Sequence, residues 1–62
     1  MVHYRFYRLL GNRIVQGEDL ELPDDEAAER EAVARLATAG ASACEAIEIW
    51  QGRRRVAHTR AP

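Results

Sequence analysis

The chain predicts an α+β domain of order ββαββ: an antiparallel four-stranded sheet made of two hairpins, with one helix packed on one face. Three observations carry that expectation. An aromatic, alternating stretch near the start folds at Gly11-Asn12. A second alternating stretch near the end folds at Gln51-Gly52. Between them stands Pro23-Asp24-Asp25-Glu26, a helix start written in acids.

Val2 to Leu10 reads as the first strand, with Tyr4 and Phe6 on one face and His3, Arg5, Tyr7 and Leu9 on the other. Glycine at the first central position of Gly11-Asn12 predicts a type II′ turn. Arg13-Ile14-Val15-Gln16 returns, and Gly17-Glu18-Asp19 reads as a bend or bulge before Leu20 and Leu22 alternate around Glu21. Asp24 is the expected N-cap of a helix from Asp25 to about Ala39, with Gly40 as its stop. Ala28, Ala32, Leu36 and Ala39 share one helical face, Val33 sits at its edge, and Glu31 and Arg35 form an i,i+4 pair on the outer face. A loop of small residues, Ala41 to Cys44, leads to a strand over Ala46–Trp50. Arg54 to Thr59 then returns with Val56 and His58 on one face, and residues 59–62 fray.

One sheet face must pack on the helix, and the pattern assigns Tyr4, Phe6, Ile14, Ile47, Ile49 and Val56 to it. A single helix cannot cover the other face, which collects Arg5, Tyr7, Leu9, Glu48, Trp50 and Arg55. Exposed apolar surface of that extent marks a contact site. The expected partner-binding residues are therefore Arg5, Tyr7, Leu9, Glu48, Trp50, Arg53 and Arg55.

At 62 residues the chain is one domain, 1–62, too small for a large core, so oligomerisation is a natural remedy. Charge is laid out in blocks. Residues 1–17 carry three arginines and no acid; residues 18–31 carry eight acids against Arg30; residues 51–62 are basic again. The sheet is thus expected to be basic and the helix entrance acidic. Net charge is only −1, so nucleic-acid binding would need a local patch. The absence of lysine excludes a Schiff-base or P-loop lysine. A single cysteine excludes an internal disulfide. No apolar run approaches a membrane span, and the N-terminus lacks a signal-peptide core, so a cytoplasmic protein with no membrane partner is expected.

Tyr4-Arg5-Phe6-Tyr7, Gly17-Glu18-Asp19-Leu20-Glu21, Asp24-Asp25-Glu26-Ala27-Ala28 and Glu48-Ile49-Trp50-Gln51-Gly52-Arg53 together resemble a group of short, uncharacterised bacterial proteins, a domain-of-unknown-function group. The resemblance spans nearly the whole chain. It departs at Arg8, where many of the group carry another aromatic. It implies a ββαββ fold and brings no catalytic residues.

No constellation for chemistry stands out. Asp24 and Asp25 already serve a helix start. Glu18, Asp19 and Glu21 lack EF-hand spacing and read as a solvated acidic segment. His3, His58 and Cys44 match no zinc pattern, although the two histidines could approach each other in the sheet. Glu45 beside Cys44 disfavours a thiolate, so a small buried hydrophobe is the expected role. Ser42 has no evident His-Asp partners. Catalytic residues, metal and cofactors are accordingly expected to be none. The expected function is a non-catalytic small interaction module, self-associating as a homodimer or binding a protein partner through the face around Tyr7, Leu9 and Trp50. Contact between the acidic helix entrance of one copy and the Arg53–Arg55 turn of another is a secondary expectation. The alternative is single-stranded nucleic-acid binding by the same aromatic and arginine face.

Overall fold

The computed structural model describes residues 1–39 and 44–61. The elements are β1 (Val2–Leu10), β2 (Arg13–Leu22), α1 (Asp25–Ala39), β3 (Ala46–Gln51) and β4 (Arg54–Arg60). Two hairpins and one helix in this order bear out the ββαββ reading. The strands form one open antiparallel sheet in the order β2-β1-β3-β4, so the two edges are β2 and β4. The helix connects edge strand β2 to inner strand β3, passing over β1's place in the sheet.

Local chemistry explains each join. Gly11 and Asn12 both have positive φ, 57° and 66°. That is a type I′ turn, not the expected II′: it matches the right-handed strand twist and uses the two residue types that tolerate this backbone. At the second turn Gly52 (φ 59°) is positive and Arg53 is not, as in type II′. Asp24 caps the helix as expected, its Oδ1 accepting from Ala27 N at 2.8 Å. The expected stop at Gly40 and the loop Ala41-Ser42-Ala43 lie outside the described residues, as does Pro62.

The core joins Tyr4 and Phe6 of β1, Ala28, Ala32 and Leu36 of α1, Cys44, and Ile47 and Ile49 of β3. Four expectations need correction. Ile14 is 60% exposed and belongs to the opposite face, because the two-residue turn pairs it with Leu9; Gln16 pairs Arg8, leaving Val15 as a bulge that returns Leu20 and Leu22 to the helix side. The bulge therefore falls at Val15, and the strand runs unbent through Gly17-Glu18-Asp19. On β4, Val56 packs against the core as expected, but as a bulge residue beside Ala57, which faces Ile49; His58 therefore does not share its face and lies opposite Glu48 on the open side. Thr59 and Arg60 are strand rather than frayed, since the ladder continues to Ala61, whose N–H donates to the Glu45 carbonyl at 2.8 Å. Cys44 is buried and its thiol donates to the Ala46 carbonyl.

The helix is tied to the sheet by charge as well as packing. Arg35 bonds Glu31 on its own helix at 2.9 Å, as expected, but it does not lie on the outer face. It reaches inward to Glu18 on β2 and lies over the Phe6 ring, 5.8 Å from the centroid. At the helix entrance the buried Tyr4 hydroxyl donates to Asp25 at 2.7 Å, and Arg54 grips the same carboxylate with two nitrogens at 3.1 and 3.2 Å. Arg54, helped by the Tyr4 hydroxyl, holds the Asp25 carboxyl below its usual range. Burial, then the bond to Asp25, pushes the Tyr4 phenol from 10.0 up to about 12.

Each shift has a sign for stability. Asp25 is depressed on folding, so its contribution is complete at neutral pH and is lost as pH falls through the carboxylate range. Tyr4 is raised, so its contribution is complete below pH 10 and is lost as pH climbs toward 12. Urea midpoints measured against pH should show a plateau bounded by these two limbs. Asp25→Asn should flatten the acid limb and Tyr4→Phe the alkaline one. Limbs unchanged in both variants would mean that other groups set the pH limits.

Candidate functional site

The register orders the open face into rows running across the sheet from β2 to β4. One row is Asp19, Arg5, Trp50 and Arg55; the next is Gly17, Tyr7, Glu48 and His58; the third is Ile14, Leu9, Ala46 and Arg60. Six of the seven expected partner-binding residues, Arg5, Tyr7, Leu9, Glu48, Trp50 and Arg55, thus share this face. Arg53 is the exposed second residue of the β3–β4 turn, at the end of the face rather than on it.

The face is better covered than composition implies. Tyr7, Leu9 and Trp50 are half-buried, while Ile14, which the sequence pattern placed in the core, is the most exposed apolar side chain here. The Arg5 guanidinium lies 5.5 Å from the Tyr7 ring centroid and donates to Asp19 at 2.7 Å. Gly17 makes room for both: a Cβ there would come within 2.9 Å of Arg5 Nη2 and 3.4 Å of Tyr7 Cε1. A recess of about 500 Å³ opens between His3, Arg5, Tyr7, Ile14, Glu48, Trp50 and Gly52. Leu9 opens onto a neighbouring recess with Ala46, His58 and Arg60.

Charge on this face is mixed, which corrects the expectation of a basic sheet. Glu48 accepts from Trp50 Nε1 at 3.2 Å and pairs with His58 at 3.3 Å and Arg55 at 3.5 Å. Asp19 and Glu21 take His3 at 3.2 and 3.4 Å. Asp19 first, then Glu21, raises the His3 pKa; Arg5 first, with His3, lowers that of Asp19. The Arg53–Arg55 turn does meet an acidic helix entrance, but it is the chain's own, through Arg54 and Asp25.

The remaining chemical candidates are dispersed. His3 on β1 and His58 on β4 have β3 between them, and each is held by its own carboxylates. Cys44 is buried on the helix side. Among the described residues no His, Cys, Asp and Glu side chains group as metal ligands, and no helix is long and apolar enough to cross a membrane.

The register carried a signal for Ile14. A two-residue turn that pairs Leu10 with Arg13 must pair Leu9 with Ile14, and cross-strand partners share a face. No family model, curated protein or solved structure matches the chain.

Proposed function

We propose that the chain is a non-catalytic interaction module whose working surface is the open sheet face around Tyr7, Leu9, Ile14 and Trp50. The observation that carries this reading is an apolar centre, Trp50 and Tyr7 beside an exposed Ile14, on the side of the sheet without a helix. Aromatic anchors surrounded by paired charges suit a protein surface, where tryptophan, tyrosine and arginine concentrate binding energy.

Single-strand nucleic-acid binding by the same face is the weaker reading. Asp19, Glu21 and Glu48 lie on the face, and Arg5 and Arg55 are already engaged with them. A phosphate backbone would meet as many carboxylates (Asp19, Glu21, Glu48) as guanidinium groups (Arg5, Arg55, Arg60).

The test is sedimentation velocity of the wild-type chain and of Trp50→Ala at matched concentrations, with circular dichroism as the check on folding. Association that vanishes in a folded Trp50→Ala supports the reading. Unchanged association, or steeply salt-dependent binding of an oligonucleotide, ends it.

A further inference from the structure

We infer that the occupant of the open face is a second copy of this chain, related by a two-fold axis parallel to the strands. The inference rests on the open face being the working surface.

Three two-fold arrangements would join copies of an open sheet. The first pairs edge with like edge, β2 to β2 or β4 to β4. Both edge strands oppose it, since each carries a bulge, at Val15 and at Val56. They also repel by charge: β2 bears Glu18, Asp19 and Glu21, and β4 bears Arg54, Arg55 and Arg60. The other two stack the open faces. An axis across the strands lays β2 over β2 and β4 over β4, again setting acids on acids and arginines on arginines. An axis along the strands lays β2 of one copy over β4 of the other, and β1 over β3.

Only the last is self-complementary. The row Asp19, Arg5, Trp50, Arg55 then meets itself reversed. Asp19 faces Arg55 of the second copy at each flank, and the Arg5 guanidinium faces the Trp50 ring in the middle, a favourable cation–π geometry. In the next row Tyr7 faces Glu48. The ion pairs fall at the rim, where their desolvation is small, and the aromatic side chains fall at the centre. Aligned sheet packing of this kind is the ordinary way to cover two open faces.

Size agrees with a reversible dimer. The molecule measures 31 × 20 × 15 Å, so the face offers about 600 Å² per copy and roughly 1,200 Å² in the pair, the lower limit for specific interfaces.

A charge swap tests the axis. Asp19→Arg and Arg55→Asp alone should each weaken the dimer about tenfold, since each replaces two attractive flanks by two repulsive ones. The double variant Asp19→Arg/Arg55→Asp should return to within about threefold of wild type. Both Asp19 variants lose the internal Arg5 contact equally, so recovery reports the intermolecular pair. A dimer that Trp50→Ala dissociates but the single charge variants leave intact overturns the axis. A wild-type chain that stays monomeric overturns self-pairing and leaves the face to a foreign protein. A dimer that survives Trp50→Ala overturns the open-face reading itself.

Discussion

Phe6→Ala should unfold the chain. Phe6 is 1% exposed on inner strand β1, opposite Ile49 and Glu18 and beneath the Arg35 guanidinium. Removing a buried phenylalanine costs about 3–5 kcal/mol through lost transfer energy and the cavity left behind. A chain of 62 residues has roughly 3–9 kcal/mol of stability in total at typical per-residue values. Ala28, Ala32 and Cys44 are three of the seven core side chains beside Phe6, and such small neighbours have little freedom to close the gap. Far-ultraviolet circular dichroism should show a largely unfolded chain without denaturant. Val33→Ala, 57% exposed on the helix, should leave the spectrum and midpoint nearly unchanged. A cooperative transition for Phe6→Ala close to that of wild type would mean that the core is not where it is described.

Trp50→Ala should have the second largest effect, on association rather than on folding. Its indole lies on the side of β3 away from the helix, and its one hydrogen bond goes to Glu48 two residues earlier. The helix-side core is therefore untouched. A central tryptophan anchor is worth about 2 kcal/mol or more. In a two-fold dimer the loss enters once per copy, so the dissociation constant should rise about a thousandfold. Sedimentation velocity would then show monomer at every practical concentration, with the strand spectrum retained.

The fold was legible because its signals are local. The two turn dipeptides, the acid-capped helix and the alternation of Tyr4 with Phe6 and of Ile47 with Ile49 each report on neighbours in sequence. The site was legible to the same depth: six of its residues follow from alternation alone. What escaped reading were the two bulges, at Val15 and Val56. A bulge shifts a strand by one residue and exchanges its faces, and no residue near either position announces it. The turn register by itself puts Ile14 on the open face; the Val15 bulge then returns Leu20 and Leu22 to the helix side, and the Val56 bulge turns His58 to the open side. Charge pairing was also hidden. Block charge suggested a basic sheet, but strand register brings Asp19 to the open face beside Arg5 and pairs Glu48, already expected there, with Arg55, partners 14 and 7 apart in sequence.

Trp50 is the only tryptophan in the chain, which makes the open face its own reporter. The most direct test is its fluorescence emission through a protein dilution series. Burial of this face in a reversible dimer predicts a blue-shifted emission at high concentration that moves red on dilution, in step with the change in sedimentation. An emission that is red at every concentration, from a chain that sediments as a dimer throughout, would contradict it: the copies would then associate through some other surface.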